Sequence, residues 1–415
     1  MIGMNPSLSL RALNIQPFYV MEILSRAARR DPSRGSLVNL VVGEPDFPTP
    51  APIVEAAQRA LLENRIHYTS ALGMPELRSC IASDYLERDQ VSVSPEQVVV
   101  TAGASAGLLL ALAAVIDPGD EVLIPDPGYP CNRAFVEALG GVPRLIQLDA
   151  VHGFQPTAEQ VRAAWGPKTK ALLLASPANP TGTLIPEPQA ASVLEAVRGL
   201  GGWLLADEIY LRLVFGAPAR SLLHLSHGPH DCLISINSFS KTYAMTGWRL
   251  GWVVAPSTLI PALERLSQNL FISPPVLSQK AALAAFTPQT RQIVDGYRDA
   301  YAAHAAYLVP ALESIGLRVP ATPQGAFYVY CDMSAHGQDS ARFCETVCDE
   351  LGVLMAPGRD FTTQAPEQMV RVSFPKPIPV LREGVNRLEA YFLGRKALHT
   401  AGSVKMLGPP INSRP

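Results

Sequence analysis

Apolar positions along the chain alternate between short β-rich runs and longer stretches with helical spacing. Val98, Val99, Val100 and Thr101 predict a buried strand, and 104–116 predicts the helix that follows it. Further strands are predicted at 121–124, 144–148, 171–175, 203–206, 233–237 and 250–255, with helices between many of them, such as 187–198 and 259–270. Several of these runs are apolar throughout rather than alternating, as expected for strands covered by helices on both faces. The pattern therefore predicts an α/β fold with a mainly parallel central sheet covered by helices, in a large domain from 48 to 290.

The last third changes character. A long helical pattern over 290–314 is followed by the run 325–330, a helix near 340–350, a strand at 369–374 and a helix at 380–392. This predicts a smaller α+β domain over 291–395, joined by the N-terminal segment 1–47. Residues 396–415 carry no apolar period and are expected to be a disordered tail.

Composition narrows the function classes. The 415 residues carry Lys+Arg 34 against Asp+Glu 36, a net charge of -2, which argues against binding nucleic acid, since that affinity comes from clustered basic groups. No apolar run reaches the ~18 residues needed to cross a bilayer, and no basic stretch leads into an apolar segment at the N-terminus, so neither membrane insertion nor a signal peptide is expected. Six scattered cysteines predict reduced thiols in a cytoplasm rather than a disulfide framework. Cys344 and Cys348 have no further ligand nearby in sequence, and Gly228 interrupts the series His224, His227 and His230, so no metal site is expected. Proline is in excess at 38 of 415 residues, about 9% against a background near 5%.

The candidate chemistry sits where predicted strands end, which is where open α/β sheets form their sites. Small residues from Ala102 to Gly107 open a helix whose free N–H groups suit a phosphate. Tyr129, held among Pro125, Pro127 and Pro130, offers a stacking face, and Asn179 lies in the turn Ser176-Pro177-Ala178-Asn179-Pro180-Thr181-Gly182. Asp207 ends an apolar strand, where a carboxylate is costly unless it meets a cation or good donors. Ser238-Phe239-Ser240-Lys241 ends the next strand, and Gly247-Trp248-Arg249-Leu250-Gly251 follows. A partly desolvated lysine has a lowered pKa and forms a Schiff base with a carbonyl, and Arg249 offers a planar fork for a phosphate or carboxylate.

These motifs, in this order across about residues 15 to 395, resemble class I/II aminotransferases of fold type I, which depend on pyridoxal 5'-phosphate. The resemblance implies an enzyme that moves the amino group of an L-amino acid to a 2-oxo acid by a ping-pong mechanism. Lys241 would be the Schiff-base lysine and proton shuttle, and Asp207 would pair with the pyridinium nitrogen. Tyr210 and Asn179 would bond the ring's phenolic oxygen, and Tyr129 would stack on the ring. Backbone N–H groups of Ala104 and Ser105, with Ser238, Ser240 and Arg249, would hold the phosphate. Arg371 would grip the substrate α-carboxylate, with Gly43 in the loop over it. Tyr68 would reach the phosphate of a neighbouring subunit, implying a homodimer with shared sites. Relatives often carry a bulkier polar residue where Ser105-Ala106 follow Ala104 here, so the backbone, rather than the side chain, of Ser105 carries that role. A related fold type I activity, such as β-eliminating C–S lysis, shares these residues. A non-catalytic regulator with a DNA-binding module is disfavoured, because only about 45 residues precede the cofactor domain. The side chain of the substrate is left open.

Overall fold

The structure, a computed structural model, describes residues 8–228 and 230–404. Its centre is a seven-stranded sheet in the spatial order Val98–Thr101, Gly251–Val254, Leu233–Ser238, Trp203–Asp207, Thr169–Ala175, Glu121–Asp126, Val142–Gln147. Gly251–Val254 runs antiparallel to both neighbours and every other pairing is parallel. The apolar runs are explained by two covered faces. Leu172, Leu174, Leu204 and Ala206 point into one core with Ile81, Val193 and Ala281 from helices. Their sequence neighbours Ala171, Leu173 and Leu205 point into another with Leu108, Leu112, Val136 and Leu263. Side chains alternate across a strand, so a strand with helices on both sides must be apolar at every position.

A third core gathers Val20, Ile23, Val38 and Leu40 with Val329, Cys344, Val347, Val370 and Leu388. Around it, Met369–Ser373 pairs antiparallel with Ala356–Pro357 and Tyr328–Asp332, and Val38–Asn39 lies parallel to Val353–Leu354. The 27-residue helix Pro288–Ser314 runs from the large sheet's side to this core.

One expectation is corrected. Helix Ile378–Val404 continues through 396–404, where the absence of an apolar period predicted a tail. Extending an established helix adds one backbone bond per residue and needs no apolar face. The remainder of that predicted tail, 405–415, lies outside the described residues. No described helix is long and apolar enough to cross a membrane. Among the described residues no group of three or more His, Cys, Asp or Glu is placed to hold a metal ion.

Candidate active site

The parallel strands all end at one edge of the sheet. Thr101, Asp126, Ala175, Asp207 and Ser238 are the last residues of their strands. The antiparallel strand starts at that edge, where Gly251 sits opposite both Thr101 and Ser238. That reversal delivers Arg249, two residues earlier, to the place where the other strands end. The loops leaving this edge enclose a cavity of about 280 Å3, and every site residue predicted from sequence lines it except Tyr68. A larger groove of about 740 Å3 lies elsewhere, among Arg26, Arg29, Arg34 and Asp349, and none of the predicted residues reaches it.

At one end of the cavity, helix Ala104–Val115 begins with no capping side chain on Gly103. Its first N–H groups therefore face the cavity, together with the positive end of the helix dipole. Gly103 has φ +86°, and a Cβ there would lie 2.5 Å from Arg249 Nη2, so glycine lets the guanidinium close over the helix end. Arg249 itself is left-handed, and its Nη1 donates to Thr246 O at 2.9 Å. Ser238 Oγ accepts the Ser240 N–H at 3.0 Å and approaches both Leu250 O at 3.0 Å and Ser240 Oγ at 2.9 Å. With a single proton to give, that hydroxyl is taken up inside the turn, which narrows Ser238 to supporting Ser240.

In the middle stand Asp207 and Lys241. Asp207 is buried and accepts one backbone bond, from Ile209 N at 3.3 Å, with no ion pair among the described residues. Burial pushes its carboxyl up to about 7. Burial also pulls the Lys241 amine down to about 8, against the opposing charge of Glu44. Lys241 Nζ donates to Gly43 O at 2.6 Å. Tyr129 is held neutral, its phenol pushed well up by burial and by Cys131 beside it.

At the far end Arg371 is 2% exposed. Its guanidinium lies between the rings of Tyr328 and Phe361, 4.5 and 4.7 Å from their centroids. Nη1 donates to Asn179 Oδ1 at 3.0 Å and Nη2 to Val41 O at 2.6 Å, while Nε is buried without a partner. Tyr210 Oη and Tyr328 Oη share a bond of 2.7 Å, and a Cβ on Gly43 would collide with Tyr328 Oη. Tyr328 and Phe361 flank the Arg371 guanidinium and were missed in the sequence, Tyr328 because an aromatic inside the apolar run 325–330 reads as core, Phe361 because nothing in the polar stretch around it marks it.

Three features fit a flat, phosphorylated ring carrying a cationic nitrogen. They are an uncapped helix end beside an arginine, a buried carboxylate without an ion pair, and a half-buried amine lining the same cavity. The unpartnered Arg371 Nε fits a carboxylate on the molecule that reacts there. Tyr68 is 84% exposed and stands apart from this cavity.

Comparison with known proteins agrees with this geometry. The sequence pattern of the family "Aminotransferase class I and II" matches residues 36–388. A valine–pyruvate aminotransferase of Mycobacterium tuberculosis is 42% identical over 94% of this chain and 99% of its own. An aspartate/prephenate aminotransferase of Thermus thermophilus is 35% identical over 94% of this chain and 99% of its own. A crystal structure of an aminotransferase from Mycobacterium tuberculosis, also 42% identical, superposes with a TM-score of 0.89 over 94% of this chain and all of that one, 100%.

Proposed function

The chain belongs to the class I and II aminotransferases, and from that premise we propose how its own residues carry the reaction. It is an enzyme of fold type I that moves an amino group from an amino acid to a 2-oxo acid. The cofactor we assign to the cavity is pyridoxal 5'-phosphate. Bound there, it supplies an electron sink for the charge left at a substrate Cα and a carrier for the amino group between half-reactions.

Each residue's part follows from its surroundings. The first N–H groups of helix Ala104–Val115, at Ala104 and Ser105, hold the phosphate with Ser240 and Arg249. Asp207, its carboxyl raised to about 7 by burial, would face the cofactor's ring nitrogen, and a proton there would favour its anion. Asn179 and Tyr210 would bond the ring's phenolic oxygen, and Tyr129 would cover a ring face. Arg371 binds the substrate α-carboxylate with its free Nε and its remaining Nη protons, already oriented by Asn179 and Val41. Lys241, its amine pulled down to about 8 by burial, would hold the cofactor and would serve as the base that takes and returns the Cα proton. The observation that carries this reading is that half-buried Lys241 and buried Asp207 line one cavity with Arg371.

The same reading divides the chain into a large cofactor domain, 48–290, and a small domain, 291–395, joined by 1–47. It also makes the enzyme a homodimer in which Tyr68 reaches its neighbour's phosphate. The exposed apolar residues Leu62, Ile66, Leu270 and Ile272 support that interface. Six free cysteines support a reducing cytoplasm as its compartment.

The test is Lys241→Ala in protein loaded with pyridoxal 5'-phosphate. Amino transfer to pyruvate or 2-oxoglutarate should fall by at least about 1,000-fold while circular dichroism and thermal midpoint hold. The wild-type visible absorption should bleach on borohydride reduction. Turnover retained by Lys241→Ala overturns the assignment.

A further inference from the structure

Asp360 is a carboxylate that the reaction does not use, yet it is 5% exposed. One of its oxygens accepts Tyr19 N at 2.9 Å and the other accepts Val20 N at 3.0 Å. These bonds close the start of helix Tyr19–Ala28, whose N-cap residue, Phe18, has no capping bond of its own. Phe18 and Val20 line the cavity. Burial pushes the Asp360 carboxyl up to about 6, against those two bonds and the charge of Arg371. A neutral side chain would cost less to bury. What a carboxylate adds is two acceptors at once, whereas the amide of asparagine would turn an NH2 group towards one of the two donors.

The segment that carries Asp360 also reaches Arg371. Ala356 lies opposite Arg371 in the antiparallel pairing, and the Phe361 ring centroid is 4.7 Å from the guanidinium. On the other side the segment is tied to the loop of Tyr129. Phe361 O accepts Gly128 N at 2.9 Å, and Thr363 N donates to Asp126 Oδ2 at 3.0 Å. Neither of those bonds involves the Asp360 side chain, so they hold the segment while Asp360 alone joins it to the helix start. All of these bonds lie within one chain, and they stand whatever a neighbouring subunit adds to the cavity.

On the aminotransferase reading, with Arg371 binding the substrate α-carboxylate, we propose that Asp360 is a positioning residue for substrate capture. By capping helix Tyr19–Ala28 it holds Phe18 and Val20 on the cavity wall, in register with the Phe361 ring and Arg371. Asp207 and Lys241 stand at the ends of strands in the large sheet, on a different part of the frame. The cap therefore bears on binding rather than on proton transfer. An interaction of that kind, made equally before and during the reaction, shows in KM and leaves kcat alone.

The test uses enzyme loaded with pyridoxal 5'-phosphate at pH 8, with the common L-amino acid that wild type uses fastest and with pyruvate or 2-oxoglutarate as acceptor. Asp360→Asn should raise the KM for the donor at least about 10-fold, as for a lost bond to a charged group, with kcat within about 3-fold and the visible absorption unchanged. Asp360→Glu keeps both acceptor oxygens and should lie closer to wild type than Asp360→Asn. Tyr19→Pro probes the same bond from its other end. Phe18 is already extended, at φ -89° and ψ 114°, and the first position of a helix accepts proline, so the helix should form. Its KM should exceed that of Tyr19→Ala, which keeps the N–H, by at least about 3-fold. This pair decides alone if Asp360→Asn does not fold. A KM within about twofold of wild type in Asp360→Asn, or a kcat that falls as far as kcat/KM, overturns the inference while wild-type transfer keeps the aminotransferase reading standing. Equal KM values for Tyr19→Pro and Tyr19→Ala overturn it as well. Transfer by wild type from no donor overturns both readings.

Discussion

Asp207 and Glu208 are neighbours at the end of one strand, both buried, and the structure treats them in opposite ways. Glu208 faces away from the cavity and accepts Ser221 Oγ at 2.7 Å, Ser235 Oγ at 2.6 Å and Leu222 N at 2.7 Å. Asp207 accepts one longer backbone bond and opens into the cavity. Beyond Glu208 lies a fully paired network. Arg212 holds Asp89 through two bonds of 2.8 and 2.6 Å and Asp84 at 3.2 Å. Burial pulls the Arg212 guanidinium down, and the two carboxylates more than reverse it. The difference teaches how to separate charges that build the fold from charges that work. In the network, each charge finds its partner within the chain. Around the cavity, the partners that the charges lack are those a ligand brings.

The largest effect of breaking the network should come from Arg212→Met. It strands Asp89, which is 0% exposed, without its cation, and such losses cost about 3–5 kcal/mol. The thermal midpoint should fall steeply, while turnover per folded molecule stays near wild type. Adding Asp89→Asn should recover much of the loss. If Arg212→Met leaves the midpoint unchanged, the network is not a source of stability.

Asp207→Asn should act in the opposite direction on cofactor-free protein. The folded carboxyl titrates near 7 and the unfolded one near 3.8, so the native state binds the proton more tightly. Stability therefore falls as pH rises between those values, and the cost is complete above 7. Three pKa units correspond to about 4 kcal/mol at pH 8, and much less at pH 5. The variant should gain thermal midpoint over wild type at pH 8, gain less at pH 5, and lose turnover in the loaded enzyme. An equal gain at both pH values would contradict an unpaired, strongly desolvated Asp207.

Much of this contrast was legible in sequence, and the missing part has a physical cause. A strand with two covered faces leaves an apolar run, so a polar residue at its end stands out, as Asp207, Ser238 and Lys241 do. Side chains whose role depends on a remote partner leave no such mark. Arg212 and Asp89 are 123 residues apart, and Asp360 meets Tyr19 across 341. Tyr328 and Phe361 are functional only because Arg371 lies between them. The proline excess is partly explained at the same edge. Pro127, Pro130, Pro177 and Pro180 stiffen the loops that carry Tyr129 and Asn179, and Pro125 lies in the strand that leads into the first of them.

The smallest effect sharpens the comparison most, because it falls next to Asp207. Ser235→Ala removes one of three donors to Glu208 and leaves the other two. Burial raises the Glu208 carboxyl, and the Ser235 hydroxyl works against that rise. At pH 8 the lost bond is one to a charged group, about 1.5–3 kcal/mol, and at pH 4, with the carboxyl protonated, it is a neutral one of about 1 kcal/mol. The midpoint should thus drop more at pH 8 than at pH 4, with kcat/KM held within about twofold, as for other substitutions that touch no reacting group. A large loss of turnover at an unchanged midpoint would move Glu208 from the network to the active site, and the division drawn between the two acids would fall.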